Sequence, residues 1–216
     1  TSGSVTITIS GADAAQSTLT PTSASITADG VSSQVLTVTA KDAGGNSLAG
    51  GGSTVTITIS SGTGTIGSVT DNGNGTYTAT VTSPTAVDSG VFVATLVGQP
   101  VKSGTGSQTE ATVKYVPGPL HHFAIASIST PQVATIPFGI AITAQDANDN
   151  TVTGFTGTVG LSTNDATVSP ATSGAFSAGE RTESVTLTGS GTGRTITADD
   201  GSSHTGTSNS FTVDKE

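Results

Sequence analysis

The residues best suited to chemistry in this 216-residue chain lie in the phrase DANDN, Asp146 to Asn150. Calcium takes roughly six to eight oxygen ligands, and Asp146, Asn148, Asp149 and Asn150, together with turn carbonyls, could supply several. The same residue types also cap and turn a strand connection with no ion at all, which is the preferred reading here. His121 and His122 are the next candidates. Adjacent residues on a strand point to opposite faces, so this pair is not expected to grip one ion from one side. Asp199, Asp200 and His204 could form a weak metal site, although a hairpin tip collects such residues for turn reasons. No metal or other cofactor is therefore expected. Serine and threonine abound, but there is no GxSxG elbow and no histidine placed by motif, so no catalytic residue is assigned. The glycines of SGTGTIG (61–67) are not followed by a helical pattern, which leaves a phosphate cradle unsupported.

Composition narrows the function classes further. Only 10% of residues are charged, 32% are hydrophobic, and 29 are glycine, with no Cys, Met or Trp. Thr, Ser and Val in such a setting favour strands with turn punctuation. The net charge of −9 and six scattered basic residues argue against nucleic acid as a partner. No apolar run approaches the roughly 18 residues of a membrane span, so no membrane insertion is expected. Without cysteine there are no disulfides and no thiolate chemistry.

The elements that must position these residues repeat. TAKDAGGNSLAG (39–50) and TAQDANDNTVTG (143–154) share Thr, Ala, Asp, Ala, Asn and Gly, and Asp42 and Asp146 are 146 − 42 = 104 positions apart. TVTIT (54–58) and TVGLS (158–162) keep the same spacing, about one immunoglobulin-like sandwich. Pro117 and Pro119 flank Gly118 in YVPGPLHHF and suit a short linker. The expectation is an all-β chain of two tandem immunoglobulin-like antiparallel β-sandwiches preceded by an isolated N-terminal β-strand. Its divisions are 1–14 (strand and linker), 15–117 (first domain) and 118–216 (second domain). Asp146 to Asn150 then falls mid-domain, as an exposed turn. Alternation assigns Leu36, Val38 and Ala40, Val55, Ile57 and Ile59, and Tyr77, Ala79 and Val81 to the first core. In the second core the same rule places Ile140, Ile142 and Ala144, Val159 and Leu161, Val185 and Leu187, and Phe211 and Val213. Turns are expected at ADG (28–30), DNGNG (71–75), DSG (88–90) and DDG (199–201).

The phrases LTPTSASITADGVSSQVLTVTAKDAGGNSLAG, DNGNGTYTATVTSPT and EATVKYV resemble the bacterial immunoglobulin-like repeats of the invasin and intimin type. The second half, with FGIAITAQDANDNTVTGFTGTVGLS and HTGTSNSFTV, is similar to a related repeat of long bacterial surface proteins. Ser47, where the first of these families usually has proline, and the GGG at 50–52, expected to loosen its turn, are departures. The resemblance implies an extracellular role at the bacterial cell surface as stalk, spacer or adhesin, without enzymatic chemistry. Self-crosslinking through an isopeptide occurs in some bacterial surface sandwiches, and Lys41 and Lys114 lie on expected strands, but no signature marks a partner. Aromatics fall at alternating positions such as Phe123, Phe155 and Phe211, which speaks against an exposed aromatic surface for a glycan or host protein.

SVTITIS (4–10) alternates cleanly but has no hairpin partner beside it, and a lone strand is not stable in water. It resembles the closing strand of a preceding repeat. The alternative favoured here is a donor strand, Val5, Thr6, Ile7, Thr8 and Ile9, that completes a sheet of another copy and builds a head-to-tail filament, with contact to its own first domain as the remaining alternative. Partners are thus expected to be other copies of the chain or adjacent repeats, and the sequence names no ligand.

Overall fold

The computed structural model describes residues 11–216, all strands and loops. The expected strand at Val5 to Ile9 lies outside the described residues. The chain divides into two compact units, the first ending at Val116 and the second beginning at Pro117.

The first unit contains β1 (Thr18–Thr20), β2 (Ser23–Thr27), β3 (Ser33–Thr39), β4 (Val55–Gly62), β5 (Thr65–Ile66), β6 (Thr70–Asp71), β7 (Thr76–Thr82), β8 (Asp88–Leu96), β9 (Gln99–Pro100) and β10 (Glu110–Val116). One sheet runs β1-β3-β7-β5, with β6 also on β7, and the other β2-β10-β8-β4, with β9 also on β8. All pairs are antiparallel except β2 on β10, which is parallel. The sandwich forms because alternate residues of each strand are apolar and face one core. Leu36, Val38, Tyr77, Val81, Phe92, Leu96, Val113 and Tyr115 are fully or almost fully enclosed in it. Ala14 is buried in this core and Ala12 packs against it.

The second unit contains β11 (His122–Ile125), β12 (Gln132–Val133), β13 (Phe138–Gln145), β14 (Gly160–Thr163), β15 (Val168–Ser169), β16 (Glu180–Leu187), β17 (Gly191–Arg194), β18 (Ile196–Asp199), β19 (Thr205–Thr207) and β20 (Phe211–Asp214). Its β11-β13-β16-β15 sheet has the order of β1-β3-β7-β5. The opposing layer is in two pieces, β12-β20-β17 and β14-β18-β19. The single strand β8 is replaced by β17 and β18, interrupted at Thr195. The buried Arg194 holds the break: Nη1 donates to the Asn164 carbonyl (2.9 Å) and Nη2 to that of Ser190 (2.7 Å). Asn164 completes it, accepting from Thr195 N (2.9 Å) and donating to the Gly193 carbonyl (2.9 Å). Phe123, Phe155 and Phe176 form a cluster of ring centroids 5.0–5.8 Å apart beside this core.

Three expectations fail in the first unit. Ile59 does not face the core but is 40% exposed, because β4 is an edge strand whose register slips between Ile59 and Ser61 and carries its end past the packed layer. DSG (88–90) is not a turn but the start of β8. Gly90 is there for close approach: a Cβ would run into the Thr63 carbonyl, the Phe92 ring and the Tyr115 hydroxyl. Tyr115 threads this gap to donate to the Thr63 carbonyl at 3.0 Å, and the SGTGTIG glycine Gly64 leaves room for the same hydroxyl. The GGG segment is not loose either, since Gly52 N donates to the Asp71 carboxylate at 2.6 Å.

The 104-residue repeat reaches a pair of glycines. Ala40 N donates to the Gly75 carbonyl and Ala144 N to the Gly179 carbonyl, both at 2.8 Å, and 75 + 104 = 179. Both glycines have positive φ, 82° and 79°, and a Cβ at either would strike the carbonyl of Leu48 or Val152, themselves 104 apart. Gly75→Ala and Gly179→Ala should therefore each cost on the order of 2 kcal/mol or more. Urea denaturation with hydrogen exchange will show this as faster exchange at Ala40 for the first substitution and at Ala144 for the second; equal stability to the parent protein would refute the clash.

Candidate functional site

The DANDN loop closes the hairpin after β13. Asp146 N donates to the Asn150 carbonyl (3.0 Å) and Val152 N to that of Ala144 (2.8 Å), a tight return that brings the Asn150 side chain back onto Asp146. The Asp146 carboxylate then accepts from Asn148 N (2.8 Å), Asn150 N (2.9 Å), Asn150 Nδ2 (3.0 and 3.2 Å) and Gly118 N (2.8 Å). Asp149 takes a left-handed backbone, φ 63°, at the tip. The expected exposed turn is thus only partly exposed: Asn148 and Asp149 are open, but Asp146 is buried at 2%. In sequence the loop lies mid-domain, yet its carboxylate holds Gly118 at the start of the second unit.

The first unit builds the same turn. Asp42 accepts from Gly44 N (2.9 Å), Asn46 N (2.9 Å) and Asn46 Nδ2 (3.1 and 3.2 Å). An aspartate four residues before an asparagine is therefore the local code for this return, with both carboxylate oxygens occupied by the chain's own donors. Its recurrence where one copy reads DAGGN and the other DANDN indicates a turn device, and among the described residues no group of three or more acidic or histidine side chains is arranged to hold a metal.

The other candidates resolve in the same manner. Asp200 Oδ2 lies 2.7 Å from His204 Nδ1 while its Oδ1 accepts from Ser202 N (2.8 Å). Asp199 accepts separately from Gly201 N (2.7 Å). His121 and His122 do not diverge as expected. His121 precedes β11 rather than lying in it, and the two Nδ1 atoms approach to 3.3 Å with the rings edge to face. His122 Nε2 lies 3.4 Å from Asp149 Oδ1. Lys114 is exposed and Lys41 half-buried; an isopeptide-forming amine needs enclosure that suppresses its charge. Sequence reasoning missed Asp29, whose carboxylate takes Ser32 N (2.6 Å), Ser32 Oγ (2.6 Å), Val31 N (2.9 Å) and Ser83 Oγ (3.2 Å) and so ties two loops together. The DG signal that marked a turn there carried no hint of Ser83, which is 54 residues away.

These contacts set the carboxyl acidities. At Asp146 burial pushes the pKa up, but the donors from Asn150, Gly118 and Asn148 outweigh it and hold the group below the usual carboxylate value. At Asp42 the Asn46 side chain and backbone do the same, and at Asp29 the Ser32 hydroxyl and amide. A depressed folded pKa means that the stabilisation is complete above the unfolded value of about 3.9 and is lost as pH falls through the lower folded value. Asp146→Asn, which turns an amide toward donors, should lower stability by roughly 2 kcal/mol at pH 7. Its acid-unfolding curve should also be flatter than the parent's below about pH 4. Denaturant midpoints measured from pH 7 to pH 2 will test both, and an unchanged midpoint at pH 7 would exclude the clamp.

Comparison with known proteins agrees with this architecture. The family model for invasin domain 3 matches residues 13–118. No curated protein matches the chain. Among solved structures, invasin, described as a bacterial integrin-binding protein, aligns with a TM-score of 0.61 at 22% identity, over 93% of this chain and 40% of its own. The Escherichia coli adhesin FdeC aligns with a TM-score of 0.52 at 21% identity, over 94% of this chain and 65% of its own. InvD of Yersinia pseudotuberculosis gives 0.50 at 22% identity, over 94% and 59%. The chain thus spans less than two thirds of each of these relatives, and the likeness to them is one of fold. Residues 13–118 thus match the invasin domain 3 family, and across both units the fold is similar to that of invasin.

Proposed function

We propose that this chain is a non-enzymatic, extracellular structural stretch of a bacterial surface protein. The observation that carries the reading is that the carboxylates best placed for chemistry, Asp42, Asp146 and Asp200, are spent on the chain's own backbone and side chains. What remains is a pair of closed cores with hydroxyl-rich surfaces, the makings of a spacer whose modules contact only their neighbours. An adhesive role toward a glycan or host protein is the second reading, favoured by the names of invasin and FdeC. Against it, the large apolar residues exposed among the described residues are single valines and isoleucines, with no aromatic among them. Antibodies raised against the chain should label intact cells of the source bacterium, and external protease should remove the signal; labelling that appears only after lysis would refute the surface role.

Within that role the finer reading is head-to-tail assembly, with Val5 to Ile9 donated to another copy. It is supported by the strict alternation of the segment and by its lack of a hairpin partner in sequence. Deleting residues 1–10 should abolish filaments under electron microscopy while far-ultraviolet circular dichroism stays that of a β protein. Filaments that survive the deletion would overturn the donation.

A further inference from the structure

The first unit leaves one long sheet edge unprotected. β4 is the last strand of β2-β10-β8-β4 and reads VTITISSG, with no charge and no proline to deter pairing. The Thr54 carbonyl accepts from Val97 N, so by antiparallel alternation Thr56 and Thr58 also bond toward β8. That leaves the N–H and C=O groups of Val55, Ile57 and Ile59 on the outer edge. In the second unit the equivalent edge is covered: Leu161 N donates to the Ala171 carbonyl and Ser173 N to that of Val159, both at 2.8 Å, so residues 171–173 lie along β14. Unit one has no such cover on β4 among the described residues, and Ile59 stands 40% exposed there.

The chain contains a second copy of the bare strand. Val5 to Ser10 reads VTITIS, identical to Val55 to Ser60. Set antiparallel, the two copies place like against like: Val5 opposite Ile59, Thr6 opposite Thr58, Ile7 opposite Ile57, Thr8 opposite Thr56 and Ile9 opposite Val55. The three apolar pairs are the hydrogen-bonded ones, each exchanging two bonds. The threonine pairs extend a ladder already begun by Thr56 and Thr95, whose hydroxyls are 2.7 Å apart. The register ends before the irregularity after Ile59, so nothing interrupts it.

We infer that the outer edge of β4 is the acceptor for the Val5–Ser10 segment of a second copy of this chain; this deepens the donation reading and rests on it. In the register above, a copy's own segment falls short. Gly11 shares a cavity wall with Gln99 and Pro100, and β9 lies on the opposite side of β8 from β4. A strand beyond β4 is three strand spacings from β9, about 14 Å. Ile9 is two residues from Gly11 and reaches about 7 Å.

The absence of native cysteine makes a register test clean. Thr8 and Thr56 form a non-hydrogen-bonded pair, close enough for a disulfide. Mixing T8C chains with T56C chains under mild oxidant should give a covalent heterodimer, at least tenfold more than T8C mixed with a T80C control. Replacing Ile59 by Lys in the T56C partner should suppress it. Dimers formed by T56C chains alone would overturn the inference in favour of β4 pairing with β4. A monomeric internal disulfide in the T8C/T56C double variant would overturn it in favour of the chain's own segment. If residues 1–10 prove necessary for filaments but no T8C–T56C product forms, the acceptor assignment fails while donation stands. If the deletion leaves filaments intact, the donation reading itself fails.

Discussion

The constraint on which both units depend is the return of the chain after β3 and β13. An aspartate at the end of the strand, an asparagine four residues on, and a left-handed glycine from the next hairpin meet at one corner. The carboxylate gathers the amides of the turn, while the glycine carbonyl takes the amide of Ala40 or Ala144. Since no side chain fits between that glycine and the carbonyl of Leu48 or Val152, turn and sheet must be built together. The 104-residue period is thus the period of a corner, and strand pairing follows from it.

Elsewhere the two units solve the same problem differently. In the first, an unbroken β8 is packed by Tyr115, whose hydroxyl threads between glycines to reach the Thr63 carbonyl. Burial raises the pKa of that phenol, as does the negative charge of Asp88 nearby, so the hydroxyl stays a donor. In the second unit Gly191 stands opposite Val213 as Gly90 stands opposite Val113, and the strand breaks shortly after it, at the end of β17, on Arg194. Its guanidinium is buried beside the break and binds the carbonyls of Asn164 and Ser190.

Most of the architecture was legible because alternating apolar residues such as Leu36, Val38 and Ala40 have one way to be buried. Ile59 obeyed the same alternation but lies on an edge past the packed layer, and alternation says which residues share a face, not whether anything covers it. Gly90 looked like a turn residue because a glycine that permits close approach is written no differently from one that bends the chain. Of the candidate site, the turn at Asp146 was readable from residue types, but its burial was not, since Gly118 N comes from 28 residues earlier. The meeting of His121 and His122 was hidden because strand geometry was assumed one residue too early.

The parallel pairing of β2 with β10 has a mechanical consequence. The strand near the start of the first unit and the strand at its end lie side by side and point the same way, so tension along the chain would slide them past each other. All five paired positions, Ser23 to Thr27 against Thr112 to Val116, would have to rupture together rather than one at a time. In the second unit the matching pair, β12 on β20, joins only Gln132 and Val133 to Val213 and Asp214. That pair would offer less resistance to such sliding than its counterpart in the first unit.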